Sequence, residues 1–138
     1  MMDAVLKSLM SGLPALLGQY LTTAAIYVAG LAMYMWLTPY HELKLIRQGN
    51  IAAAIIFTGA IIGLALPLGA TLAHSVNVVD IALWGAVSAA LQGLTFGFIS
   101  FALREVTPAV ERGDVAIGLL VGALQLGVGI INAGAMSS

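Results

Sequence analysis

Hydrophobic residues run through this chain in four long blocks separated by short polar segments. No Asp, Glu, Lys, Arg or His occurs within residues 13–37, 51–73, 81–103 or 115–136. Each block is about 22–25 residues long, enough to cross a hydrocarbon core of about 30 Å at 1.5 Å per residue. The pattern predicts an all-α membrane protein, a single domain of four transmembrane helices. Ahead of them, Met2, Val5, Leu6, Leu9 and Met10 recur at helical spacing, with Asp3, Lys7 and Ser8 off that face. Residues 1–12 therefore read as an interfacial lead-in helix. Pro14 is expected in the first turn of the first span, with Ser11 or Gly12 as its cap. Pro14 and the tyrosines Tyr20, Tyr27 and Tyr34 are unlike a signal-peptide core, so the first span is read as retained.

The polar segments repeat. Thr38-Pro39 precedes Gly49-Asn50-Ile51-Ala52, and Thr107-Pro108 precedes Gly113-Asp114-Val115-Ala116. Each phrase opens an apolar block, which predicts one helical hairpin written twice, over about 13–74 and 80–136. Hairpins contain an even number of spans, so both copies point the same way, related by an axis along the membrane normal. Asn50 and Asp114 are expected as helix N-caps, accepting orphan backbone N–H groups, with Asp114 also favoured by the helix dipole. Ion binding is the alternative there. Lys44, Arg47, Arg104 and Arg112 lie in the two repeated segments, against Lys7 alone on the other side. The positive-inside rule then places those segments in the cytoplasm and both termini outside, in the periplasm.

Composition narrows the chemistry. The chain is 61% apolar and 8% charged, with a mean hydropathy of +1.05. A net charge of −1 argues against nucleic acid. With no cysteine, a disulfide, Fe–S cluster or thiolate site is excluded. Proton-coupled transport ordinarily uses an ionisable group inside the membrane, and the blocks hold none. No metal or cofactor site is expected. His41 and His74 fall in segments on opposite sides, and His41 with Glu42 is the only candidate acid–base pair, so no enzymatic activity is expected. Trp36, Tyr40 and Trp84 read as aromatic anchors at headgroup level.

The polar residues inside the blocks are arranged. Gly85, Ser88, Gln92 and Thr95 are spaced three, four, three, and Gly118, Gly122, Gln125, Gly129 and Asn132 are spaced four, three, four, three. Such alternation puts each set on one helix face. Gln92 and Gln125 both fall roughly 16 Å into the membrane at 1.5 Å per residue, near the midplane. Two readings follow: an interhelical hydrogen bond, or a polar ring of Gln92, Thr95, Gln125 and Asn132 at the centre of an oligomer. Gly59 with Gly63 and Gly118 with Gly122 are small-xxx-small pairs that let backbones approach, and they are read as faces for lateral association. Pro67 removes the backbone bond to the carbonyl of Gly63 and is expected to kink its helix.

Thr38-Pro39, Glu42-Leu43, Leu45-Ile46, the run from Gly49 to Ala54, Gly59, Gly63, Pro67, Asp80, Trp84-Gly85 and the run from Ile130 to Ala133 together resemble a bacterial inner-membrane family of the YjfL and YshE type, catalogued as domain of unknown function 350. The resemblance covers about residues 13–136. It implies a four-helix inner-membrane protein with two tandem units, and a gene context of membrane stress and polyamine-ligase-like enzymes that points to envelope maintenance. It brings no established activity. The expected function is passive permeation of ions or small solutes through a homo-oligomer. The alternative is a scaffold that recruits a soluble cytoplasmic partner through the segment 38–49, with Glu42, Lys44 and Arg47 as its contact residues. The second hairpin, which holds the polar midplane, is the expected functional centre.

Overall fold

Six helices account for the computed structural model, which describes residues 1–103 and 105–137. Four are long: α1 (Met2–Leu37), α3 (Ile51–His74), α4 (Val78–Ala102) and α6 (Val115–Met136). Each is long and apolar enough to cross a membrane. Two are single short pieces, α2 (Glu42–Arg47) and α5 (Val106–Glu111), in the connections α1–α3 and α4–α6. No strand occurs among the described residues.

The start of α1 departs from expectation. The helix runs unbroken for 36 residues, with Pro14 in its interior rather than at its beginning. A proline removes one backbone hydrogen bond and crowds the carbonyl four residues back; that carbonyl belongs to Met10, on a stretch where both residues are exposed. The lead-in is thus continuous with the first span. No residue of α1 is fully buried.

The caps of α3 and α6 are as expected. The side chain of Asn50 accepts from the backbone N–H of Ala53 at 2.9 Å. Asp114 accepts from Ala116 at 3.1 Å and Ile117 at 3.3 Å. Both are preceded by a glycine in the left-handed region, Gly49 at φ 86° and Gly113 at φ 77°, where a side chain would be strained. The two Thr-Pro pairs, however, do different work. Thr38 is extended and ends α1, as a residue before proline favours. Thr107 and Pro108 lie inside the first turn of α5, where a missing N–H costs nothing. The segment 107–113 is consequently mostly helical, not a loop. Asn50 also ties the two connections together, donating from Nδ2 to the carbonyl of Val110 at 2.7 Å. Around that bond Tyr40, Ala53, Ile56, Ile99, Val106, Val110 and Val121 form the apolar core.

Helix α3 touches each of the other long helices, and its contact with α6 is the most extensive in the molecule. Glycines make that seam. A methyl group at Gly59 would stand 2.5 Å from the carbonyl oxygen of Gly122, and one at Gly118 2.9 Å from the Cα of Ala52. The same test places Gly63 against the backbone of Gln125, and Gly129 against the carbonyl of Gly63. That carbonyl is the one Pro67 leaves without its helical donor, and α3 continues through Pro67 to His74. The glycine faces expected to join separate copies are therefore engaged within one chain.

Candidate intramembrane site

The polar residues of the long helices converge between α1, α4 and α6. Near the middle of α4, Gln92 is 9% exposed; near the middle of α6, Gln125 is 2% exposed. Their side chains do not pair with each other. Gln92 Nε2 donates to the backbone carbonyl of Gln125 at 3.0 Å, while Gln125 Nε2 donates to the hydroxyl of Tyr34 on α1 at 3.1 Å. Closer to the C-terminal end of α6, Asn132 Nδ2 donates to the carbonyl of Ser88 at 3.2 Å. These bonds use amide nitrogens. The amide oxygens of Gln92, Gln125 and Asn132 are buried without a partner, as is the hydroxyl of Tyr40. An unmet acceptor away from water costs about 1–3 kcal/mol, so three at the heart of the bundle call for an explanation.

Gln92 and Gln125 also contribute to the wall of a cavity. It occupies about 620 Å³ between α1, α3 and α4, and its lining is apolar except for Tyr34, Gln92 and Gln125. Small residues on α1 and α4 supply much of its wall, among them Ala29, Ala86, Ala90 and Gly93. Tyr34 and Phe96 stand beside the amides, with ring centroids 4.4 Å apart and tilted by 59°. Met33, Leu37 and Leu94 also line the cavity and are more than half exposed, so its mouth opens onto the apolar outer surface of the bundle.

The family comparison gives this architecture a context. A family model described as Domain of Unknown Function (DUF350) matches residues 8–136. The chain belongs to the DUF350 family. It is similar to the UPF0719 inner membrane protein YjfL of Escherichia coli strain K12, 28% identical over 88% of this chain and 98% of that one. The same figures hold for YjfL of Escherichia coli O157:H7. No solved structure matches. This DUF350 protein is accordingly a multi-pass protein of the inner membrane, with four apolar helices of spanning length.

Not every expected site residue joins the cluster. Gln92 and Gln125 do, but inside one subunit, while Asn132 bonds Ser88 at another level of the bundle. Thr95 does not: its hydroxyl bonds the carbonyl of Leu91 on its own helix at 2.9 Å, and Phe96 takes the next buried position after Gln92. Tyr34, counted in the sequence only as an aromatic in the first span, is the residue that reasoning missed. Its signal was a hydroxyl seven residues after Tyr27, whose own hydroxyl donates to Ile61 on α3 at 2.8 Å.

The contact segment 38–49 also changes. Lys44 and Arg47 are exposed on α2, but Glu42 is 2% exposed and cannot meet a partner from solution. Its carboxyl lies in a short hydrogen bond with the hydroxyl of Thr38. The same hydroxyl lies 2.9 Å from the carbonyl of Met35 and 3.3 Å from that of Tyr40. One hydroxyl hydrogen cannot serve three acceptors. Protonation of Glu42 would relieve the conflict, because the carboxyl could then donate to Thr38 and leave the hydroxyl hydrogen for Met35. Burial pushes the Glu42 carboxyl up; donation to the carboxylate from Thr38 and from its own backbone N–H, and His41 nearby, offset this only in part. Burial, with Glu42 nearby, pushes the Tyr40 hydroxyl up to about 12. Of the basic residues in the two connections, Arg104 lies outside the described residues; Arg112 stands 4.0 Å from Asp114 at the surface.

Proposed function

We propose that this DUF350 protein is a non-catalytic binding protein that takes a small uncharged amphiphile from the bilayer into the α1–α3–α4 cavity. The observation that carries this reading is the cavity's composition: apolar walls, a mouth on the apolar surface and, among the described residues, only Tyr34, Gln92 and Gln125 as polar residues in its lining. Pockets of this size with few convergent polar groups are the usual form of small-molecule sites. Photolabelling in proteoliposomes with a diazirine-tailed neutral lipid tests it. Label concentrated on the walls around Ala29, Ala90 and Gly93 supports the reading. Label spread evenly over all lipid-facing helices overturns it.

Passive permeation is the second reading, favoured by unpartnered oxygens at two levels, Gln92 with Gln125 and then Asn132. Such a file of acceptors suits water or a monovalent cation. The route would run inside each subunit. Liposomes that hold their potassium and water gradients with the protein present would exclude it. We propose that the end carrying α2 and α5 is cytoplasmic, from its basic residues. Assembly into a homo-oligomer would use faces other than the glycine seam, and exposed α1 is the largest.

A further inference from the structure

We infer that α1 joins two copies of this chain through a stripe of Leu6, Met10, Leu13 and Leu17, on the part of the helix that overhangs the bundle. The inference rests on the homo-oligomer proposed above and is independent of the cavity reading. The overhang is set by where α1 meets its neighbours. Gly18 lies at the start of α4: a Cβ there would stand 3.7 Å from a methyl of Val78. Residues 18–37 extend about 30 Å at 1.5 Å per residue, the depth of a hydrocarbon core. Residues 2–17, in the same unbroken helix, add about 24 Å beyond it. No other described residue accompanies them. Every residue from 1 to 17 is exposed, α3 ends at His74 and α4 begins at Val78. The bond from Asn132 to Ser88 sets the last turn of α6, which ends at Met136, lower still, alongside α4.

The apolar residues of the overhang have the period of a helix pair. Leu6, Met10, Leu13 and Leu17 are spaced four, three, four and all are exposed. Tyr20, also exposed, continues the stripe three residues on. Ser8, Ser11 and Ala15 fall on the opposite side of the helix. A repeat of about 3.5 residues suits two helices whose side chains interlock along a shared stripe. Below Gly18, lipid covers the outward face of α1. Above it, these side chains would stand in water, which disfavours apolar area. Laying the overhang on the membrane surface would require α1 to break, and it runs continuously through Pro14. A second copy needs no such change. Two copies inserted in one membrane point the same way, so their overhangs run parallel. Each stripe residue then stands opposite its own counterpart, an isologous contact. The stripe carries no charge, so like charges do not meet there.

The chain has no cysteine, so single-cysteine variants of the full-length protein, in proteoliposomes at high lipid excess, test the stripe. A disulfide requires Cα atoms within about 7 Å. Met10→Cys and Leu13→Cys are expected to cross-link into dimers on mild oxidation, and Ser8→Cys and Ser11→Cys to run as monomers. Met10→Glu combined with Leu13→Glu, both at exposed positions, is expected to keep the thermal midpoint and to reduce the subunit count in single-molecule photobleaching to one. Cross-linking at Ser8 and Ser11 instead, or equally at all four positions, overturns the stripe. A native count above one that survives the double glutamate variant overturns the stripe while the homo-oligomer stands. A native count of one overturns both, whatever is found of the cavity. A nitroxide at position 13 that oxygen reaches as readily as it reaches lipid-facing positions assigns the overhang to the membrane surface and overturns the second copy.

Discussion

The two sides of α3 use the same kind of residue to opposite ends. Towards α6, glycines on one helix meet backbone on the other, and the two helices touch along Gly59, Gly63, Gly118, Gly122 and Gly129. Towards α1 and α4, the small residues Ala29, Ala86, Ala90 and Gly93 line a cavity of about 620 Å³ that remains open. A small residue closes a gap only when the opposing surface advances into it. On the α6 side, complementary spacing lets the backbones interlock and gain dispersion contacts. On the α1 side, the rings of Tyr34 and Phe96 stand between α1 and α4 beside the cavity, although Ile26 packs closely on Gly85. The void persists beside those rings. Small side chains alone therefore do not forecast tight packing.

The sharpest way to break this contrast is to make the same substitution on both sides. Gly122→Leu would drive a side chain into the carbonyl of Ile55, 2.9 Å from where its Cβ would stand. The expected cost is about 3 kcal/mol, seen as lost folded protein or a large fall in thermal midpoint in detergent. Gly93→Leu meets no atom within 4 Å at its Cβ and replaces a poor helix former, so stability is expected to stay within about 1 kcal/mol. Equal loss in both variants would show that the cavity is not open space.

Asn50 gives the next largest effect. Its oxygen caps α3 and its nitrogen holds Val110, so it secures the seam side at its base. Asn50→Ala is expected to cost about 2 kcal/mol in thermal unfolding. Asp114→Ala, which removes the cap on α6 and a surface contact with Arg112 but no link to another helix, should cost about half that. A smaller loss for Asn50 than for Asp114 would make the cross-link to Val110 negligible.

How much of this was legible in the sequence follows from what periodicity encodes. The four spans, the caps at Asn50 and Asp114 and the shared face of Gly118, Gly122, Gln125, Gly129 and Asn132 are properties of one helix at a time, and a single strand of sequence carries them. Which face meets which helix is not. The glycine faces were expected to join copies because nothing in one helix says that its complement lies 60 residues away in the same chain. Thr95 shows the same limit: spacing put it on the face of Gln92, yet its hydroxyl satisfies itself on Leu91. Burial of Glu42 arises from tertiary folding of α2 back onto α3, which turns a charge in a polar segment into a core residue. The polar centre draws on Tyr34 as well as Gln92 and Gln125, so it belongs to both hairpins rather than the second alone.

A third variant probes the loose side directly. Gln125→Leu removes the bond to Tyr34 but also an unpartnered buried oxygen. The Gln92 bond survives, because it is made to the main chain of residue 125. Loss and relief nearly offset, and the expected change is within about 1 kcal/mol. A loss of several kcal/mol would mean that α1 is held to the bundle chiefly through this amide, and that the cavity side is less loose than its packing implies.

The smallest effect concerns the foot of α1, where Glu42 meets Thr38. Burial holds the carboxyl above its ordinary value of 4.5 in the folded protein. The folded state then binds the proton more tightly than the unfolded chain. Its contribution to stability is full below the unfolded pKa and declines as pH rises towards the folded one. Above that point the carboxylate is charged in both states, and the contribution is gone. Thermal midpoints of the native protein should therefore fall slightly across that acid-side window, whereas Glu42→Gln, which keeps a neutral donor for Thr38, should lose this slope. An unchanged slope in Glu42→Gln would assign it to other groups. A native protein that gains stability over the same window, with the gain lost in Glu42→Gln, would mean that Thr38 donates to a carboxylate. The three-acceptor conflict at its hydroxyl would then need another resolution.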